Sequence, residues 1–177
     1  TNTDYAQTYS DTFSAFETAR AKITAITNAG STDDIVSAGQ GQKIGSFRFT
    51  AEGDSQGLSN SRVTAVSFQL DGAGVTVSNV VLRRSGSDTS LACTLGGTTI
   101  TCTGIPAEIG TLQGGSAVID VYATIAINSG ASNPSFRLTI NESGSPSDTG
   151  AITWTDGSAT FSWVPFDSPV VRGTSFK

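Results

Sequence analysis

Two cysteines are the residues of this chain whose type and spacing most directly predict a covalent bond. Cys93 and Cys102 stand on either side of Gly97-Thr98, a pair that suits the two-residue turn of a β-hairpin. With the turn centred there, the cysteines face each other at a non-hydrogen-bonded position, where a Cα separation of roughly 4.5 Å allows a disulfide. The sequence therefore predicts a disulfide in an exposed hairpin, and with it an oxidising compartment. The alternatives are two reduced cysteines or a redox-active pair, and the latter is disfavoured because the spacing is not C-x-x-C.

Acid-base chemistry finds little support in the composition. The chain has no histidine, which excludes Ser-His-Asp and Cys-His arrangements and histidine-bearing zinc sites. Paired carboxylates hydrolyse glycosides, but most acidic residues here stand in turn-like stretches, where Asp is favoured for backbone reasons. Asp120 lies on a predicted strand, on the face opposite the apolar residues, and we interpret it as solvent-facing. We expect no catalytic residue and no enzymatic activity.

Acidic loops offer the oxygen ligands that calcium prefers. Asp33-Asp34 and the pair Glu52 and Asp54 are the candidate donors, although no EF-hand pattern is present and solvated loops are the simpler interpretation. We expect no other metal or cofactor. Asn141 begins an Asn-Glu-Ser triplet, which matches the acceptor pattern for N-glycosylation.

Aromatic residues near the C-terminus form a further candidate binding feature. Residues 151–163 predict a hairpin around Asp156-Gly157, a dipeptide that suits a type I′ turn. That turn places Trp154 opposite Ala159, with one face apolar and the other made only of Ser and Thr. Exposed rings would stack on sugars, but the aliphatic neighbours favour core packing, which is our interpretation. The apolar face comprises Ile152, Trp154, Ala159, Phe161 and Trp163.

Alternation of apolar and polar residues predicts β-strands through most of the chain. Residues 43–51 and 63–70 place Phe and Val on one face, and stretches rich in Gly, Asp and Ser separate the runs. The alternation slips by one residue near Asn79, which predicts a bulge. Residues 116–127 form the longest regular run, so we expect that strand in the centre of a sheet. The pattern predicts an all-β fold, an antiparallel, Ig-like β-sandwich of about eight to ten strands.

Two segments divide the chain. Residues 1–14 are polar with scattered aromatic side chains and are predicted to form an N-terminal extension or inter-subunit linker, while 15–177 form a single β-sandwich domain. Residues 1–29 fit either a helix or a strand, since no Gly or Pro interrupts them and their aromatic residues fall roughly at helical spacing, and we favour a strand because all downstream patterns are β. The chain begins with Thr and has no apolar run near the ~20 residues that span a bilayer. We therefore expect a mature or excised segment that does not insert into a membrane.

The low content of charged residues and the negative net charge argue against a nucleic-acid partner. Charged residues make up 14% of the chain and the net charge is −5, whereas binding to nucleic acid requires a concentrated basic surface. Low charge together with abundant Thr, Ser and Gly is typical of β-rich extracellular proteins. We expect no nucleic-acid partner.

Five stretches of predicted strand carry a family resemblance: KIGSFRFTA (43–51), VTAVSFQL (63–70), VSNVVLRR (77–84), SAVIDVYATI (116–125) and ITWTDG (152–157). They resemble β-sandwich modules of bacterial secreted surface proteins, including S-layer proteins and subunits of fibres or pilus-like filaments. The resemblance spans residues 15–177 and implies a structural or adhesive role at the cell surface, often as one unit of a tandem or polymeric array.

We therefore expect an extracellular structural protein that assembles with copies of itself or with adjacent tandem modules. Assembly is expected at the termini, where the N-terminal segment would add a strand to a neighbour's sheet edge. The alternative function is a glycan-binding or adhesive module. The residues expected to take part in assembly are Tyr5, Tyr9, Phe13, Phe16 and Phe176.

Overall fold

The computed structural model describes residues 21–53, 61–112, 115–142, 144–145, 148–164 and 171–177. Within these ranges the regular structure is thirteen strands and one short helix. The predicted extension over residues 1–14 lies outside the described residues, so its boundary stays a prediction. The elements are β1 (Lys22–Asn28), β2 (Asp33–Asp34), β3 (Gly39–Glu52), β4 (Arg62–Ala73), β5 (Val75–Arg84), β6 (Ser90–Ala92), β7 (Thr94–Gly96), β8 (Thr99–Thr103), α1 (Ala107–Gly110), β9 (Ser116–Ile127), β10 (Ser135–Ile140), β11 (Ile152–Thr155), β12 (Thr160–Phe161) and β13 (Val171–Phe176).

The strands form two sheets around a common core, which confirms the predicted all-β sandwich. Sheet A has the order β1-β3-β9-β5-β6. Sheet B has the order β12-β11-β4-β10-β13-β2, with β8 also paired to β4 and β7 paired to β8. Seven strands can be lettered A to G along the chain: β1, β3, β4, β5, β9, β10 and β13. Across sheet A they then lie in the order A-B-E-D, and across sheet B in the order C-F-G, as in an immunoglobulin constant-type domain. The short strands β2, β6 to β8 and β11-β12 are additional to these seven and raise the number of described strands above the predicted eight to ten.

The core consists of the alternate side chains that the sequence pattern pointed inward. Phe47 and Phe49 of β3 are fully buried, and Phe68 of β4 reaches across to Phe47 with 5.1 Å between ring centroids. Burying one such side chain contributes about 1.5–3 kcal/mol, so these rings are a large part of what holds the sheets together. The predicted inward face of residues 43–51 is confirmed.

The register of paired strands tests three predictions, those for β1, for the bulge near Asn79 and for β9. β1 is extended as expected, although a register shift near Ile23 turns Ile26 inward rather than Ala25. The bulge at Asn79 is confirmed, because β5 shifts register against β9 there and Asn79 has a φ of 50°. β9 is central in sheet A as predicted, but it is not the longest strand: β3 has 14 residues against 12. Register shifts in the first half of β3 break its alternation and hide its length.

The turn between β11 and β12 is wider than predicted. Trp154 pairs with Phe161 rather than with Ala159, so residues 156–159 all lie in the turn. The Asp156 carboxylate accepts hydrogen bonds from the backbone N–H groups two and three residues further on, at 2.9 and 2.8 Å. Such side-chain capping stabilises a longer turn than the dipeptide alone requires. Trp154 and Phe161 still lie on the same face of the hairpin as predicted, because a register shift of two residues preserves the alternation of a strand.

The chain enters and leaves the sandwich at opposite ends. β1 begins with Lys22, level with Glu52, and we call this end the N-terminal pole. β13 ends with Phe176, which pairs with Phe136 close to the turn between β4 and β5, and we call this end the C-terminal pole. Between them the chain passes from sheet A to sheet B, since β1 pairs with β3 and β2 pairs in parallel with β13. The first and last strands of the fold therefore run in the same direction.

Candidate functional site

An open cleft of about 830 Å³ lies at the C-terminal pole, where the ends of β4, β10 and β13 meet the segment after β2. Its floor is apolar, because the rings of Phe136 and Phe176 stack there with 4.5 Å between centroids. Val36 lines the cleft as well and packs against the core. The cleft thus combines a preformed apolar floor with an opening to solvent.

Backbone contacts fix the walls of the cleft. The Val36 N–H donates to the Lys177 carbonyl at 3.2 Å, and the Lys177 N–H donates to the Asp34 carbonyl at 3.0 Å. On the floor, Gly72 stands opposite Phe136, where an added Cβ would lie 2.9 Å from the Phe136 Cβ. A side chain at Gly72 would therefore displace the ring that forms the floor.

The polar lining carries an unused hydrogen-bond donor. Arg137 lies on β10 between Asp71 of β4 and Ser175 of β13, and all three line the cleft. Arg137 and Asp71 form no ion pair, and the buried Arg137 Nε has no hydrogen-bond partner. Arg62 Nε and Arg83 Nε are also buried without a partner, so this state is not specific to the cleft. The polar lining thus places a guanidinium group, a carboxylate and a hydroxyl group beside the apolar floor.

Exposed apolar residues extend this surface. Among the residues that the structure describes, Ile35 (75% exposed) and Ile127 (44% exposed) are the exposed large hydrophobic side chains. Ile35 precedes Val36 of the cleft, and Ile127 pairs with Val75 beside the turn that joins β4 to β5. Both therefore lie at the C-terminal pole, and neither occurs at the other end of the sandwich.

The predicted assembly residues fall into two groups. Phe176 lies at the C-terminal pole as part of the cleft floor and is largely buried against Phe136. The other aromatic residues, Tyr5, Tyr9, Phe13 and Phe16, lie outside the described residues.

The predicted calcium ligands are separated and already engaged. Asp33 forms an ion pair with Lys177 at 3.0 Å, and Glu52 forms one with Lys22 at 3.1 Å near the other pole. The Asp34 carboxylate accepts a hydrogen bond from the next backbone N–H at 2.8 Å. Asp54 is outside the described residues, and within those described no group of three or more His, Cys, Asp or Glu residues is arranged to hold a metal ion. Asn141, the predicted glycosylation site, is exposed just after β10.

The predicted disulfide is confirmed. Cys93 and Cys102 are bonded with 4.5 Å between Cα atoms, and the hairpin register follows the turn at Gly97-Thr98. The structure adds a role that the sequence did not reveal. Cys93 separates β6, which pairs in sheet A, from β7, which pairs in sheet B, and its N–H donates to the Val80 carbonyl of β5 at 2.9 Å. The disulfide therefore fastens the strand that passes from one sheet to the other.

The prediction that Asp120 faces solvent is wrong. Asp120 is only 2% exposed, and it accepts a hydrogen bond from the Ser46 hydroxyl at 2.6 Å and pairs with Lys43 Nζ at 3.4 Å. The alternation places it on the outer face of sheet A as expected, but long side chains lie across that face. Arg83 and Lys43 both reach the ring of Tyr122, at 5.2 and 5.9 Å from its centroid. Asp120 is thus a structural carboxylate whose partners are Ser46 and Lys43, on a sheet face that long side chains cover.

The two tryptophans have different environments. Trp154 is 2% exposed, stacks on Phe161 at 4.6 Å and donates its indole N–H to the Trp163 carbonyl at 2.7 Å, so the predicted core packing is confirmed for this residue. Trp163 is half-buried and meets Phe161 edge-on at 6.5 Å. Of the two tryptophans, Trp163 is therefore the one that offers an aromatic surface to a ligand.

No protein-family model matches the chain, and no curated protein matches its sequence significantly. Within the described residues no helix is long and apolar enough to cross a membrane. The geometry of the C-terminal pole is consequently the main guide to function.

The sequence reading missed this pole almost entirely, apart from Phe176. One signal was present: Ile35-Val36 is an adjacent apolar pair directly after Asp33-Asp34, which strand alternation does not explain. Arg137 gave no signal, because a basic residue between Phe136 and Leu138 is the ordinary outer face of a strand.

Proposed function

We propose that this protein is an extracellular structural protein whose β-sandwich is one unit of a surface layer, fibre or pilus-like filament. Its partners are copies of itself or adjacent tandem modules, joined through their ends. The unit assembles without catalysis and without nucleic acid or membrane insertion.

The observation that supports the proposal is that the chain enters the sandwich at the N-terminal pole and leaves it at the C-terminal pole. Lys22 and Phe176 belong to strands that run in one direction, so units joined end to end continue along one axis. Ile35 and Ile127 expose apolar surface at the pole where the next unit would sit. These two side chains would supply apolar contacts to the next unit.

The disulfide supports the extracellular part of the proposal. Disulfides persist in secreted and cell-surface proteins and are rare where thiols are kept reduced. Cys102 is fully buried and Cys93 ties the two sheets together, so the bond is structural in character.

The test compares the full chain with a variant that lacks residues 1–16. This deletion spares every described strand, since β1 begins at Lys22, and circular dichroism checks that the fold is kept. Light scattering and electron microscopy should show polymer for the full chain and monomer for the variant. Polymer from the folded variant would refute assembly through the N-terminal segment.

Binding of glycans is the second candidate function, and the half-buried Trp163 favours it. Its ring lies on the apolar side of the edge hairpin β11-β12, beside Phe161, and aromatic surfaces of this kind stack on sugar rings. A glycan array with Trp163→Ala tests it, with Asn141→Gln as a matched exposed control. Binding that survives Trp163→Ala, or no binding by the parent protein, would contradict this function. Trp154→Ala is unsuitable, because Trp154 is buried and its removal is expected to unfold the hairpin.

A further inference from the structure

We infer that the cleft at the C-terminal pole receives the N-terminal segment, residues 1–20, of a second copy of this chain. The inference rests on the proposed function and deepens it, because it names the receiving surface. Three independent features lead to this occupant: where the segment begins, its charge, and the spacing of its aromatic residues.

The first feature is position. The described chain starts at Ala21 at the N-terminal pole, so the segment joins the sandwich at the end opposite the cleft. The 12-residue strand β9 sets the length of the sandwich at about 40 Å. A copy stacked on the C-terminal pole brings its own N-terminal pole, and hence its segment, directly to the cleft. Twenty extended residues reach up to about 66 Å, enough to cross the cleft without strain.

The second feature is charge. Residues 1–20 contain three acidic residues, Asp4, Asp11 and Glu17, against one basic residue, Arg20. The cleft is lined by Arg137, which has no ion pair among the described residues, by Lys177, which pairs with Asp33, and by the acidic Asp71. A carboxylate from the segment would supply the acceptor that Asp71 does not. Complementary charge of this kind favours the correct partner and speeds encounter.

The third feature is the apolar match. Tyr5, Tyr9 and Phe13 are spaced by four residues, so their side chains share one face of an extended strand. The cleft floor is the stacked pair Phe136 and Phe176, and aromatic side chains are the usual anchors of small interfaces. The aromatic face of the segment would therefore pack on this floor.

The experiment uses the full chain with the photo-reactive residue p-benzoylphenylalanine in place of Phe13. Protein of natural isotope content is mixed with ¹⁵N-labelled protein, allowed to assemble, irradiated and mapped by mass spectrometry. Mixed-isotope cross-links from the segment to residues 132–137 or 175–177 support the inference. Cross-links found only within one chain, or mixed ones to other surfaces such as β1, overturn it. In the latter case the polymer itself still supports the proposed function, whereas absence of any polymer sinks both.

A second measurement keeps the inference testable if cross-linking is inefficient. Ile35→Asp changes a side chain that is 75% exposed and adjoins the cleft, so the fold should tolerate it. Self-association followed by light scattering should weaken about tenfold or more, from lost apolar contact and repulsion of the acidic segment. Thr101→Asp, at an exposed position on β8 away from the poles, is the matched control and should leave association unchanged. Equal association constants for the two variants overturn the inference.

Discussion

Removal of the Asp120 carboxylate should destabilise the sandwich by an amount that the local geometry sets. Asp120 accepts the 2.6 Å hydrogen bond from Ser46, and both side chains are buried. A hydrogen bond to a charged group contributes about 1.5–3 kcal/mol. The pair with Lys43 adds less, because the Lys43 side chain is 50% exposed and half-exposed ion pairs contribute about 0–1 kcal/mol. Asp120→Ala should therefore lower the free energy of unfolding by about 1.5–4 kcal/mol.

Urea denaturation followed by circular dichroism measures this change as a shift in midpoint at constant slope. Double-mutant cycles separate the two contacts: Asp120 with Ser46→Ala should couple by more than about 1 kcal/mol, and Asp120 with Lys43→Ala by less. Glu52→Ala is the matched control, because its ion pair with Lys22 is exposed on both sides and should have little effect. A larger coupling to Lys43 than to Ser46, or a loss for Asp120→Ala no larger than for Glu52→Ala, would refute the reasoning.

Three further changes test other parts of the fold by the same denaturation assay. Replacing Cys93 and Cys102 together with Ala should cost about 2–3 kcal/mol, since the closed loop is short at a sequence separation of 9; an unchanged midpoint would contradict this. Gly72→Ala should cost about 1–3 kcal/mol from overlap with the cleft floor, whereas Gly96→Ala, whose added Cβ meets nothing within 4 Å, should cost much less. Asn79→Val should cost about 1–3 kcal/mol, because a β-branched residue tolerates the φ of 50° poorly; equal stability would argue against that conformation.

The strands were predictable because each residue's face follows from alternation alone. Phe47 and Phe49 could be placed inward, and the slip at Asn79 located, from nothing more than the spacing of apolar residues. The disulfide followed in the same way from the turn residues between Cys93 and Cys102.

What the sequence concealed depends on contacts between distant residues. Asp120 was assigned to the correct face, but its burial depends on side chains of β3 and β5 that pattern does not place beside it. The predicted hairpin turn was narrower than the observed one, because the Asp156 side chain, and not the Asp-Gly dipeptide alone, determines the shape of the turn. The cleft requires Val36, Arg137 and Phe176 to meet, and they come from three separate strands or loops of sheet B.

The common direction of the first and last strands has a mechanical consequence. A pull on the two ends of the chain acts along β1 and β13, so the hydrogen bonds that join them to β3 and β10 are loaded in shear and must break together rather than one after another. The parallel pairing of β2 with β13 adds to the same resistance. Beyond that point the bond between Cys93 and Cys102 keeps its loop from lengthening under tension. The sandwich should therefore resist extension when it is pulled along β1 and β13.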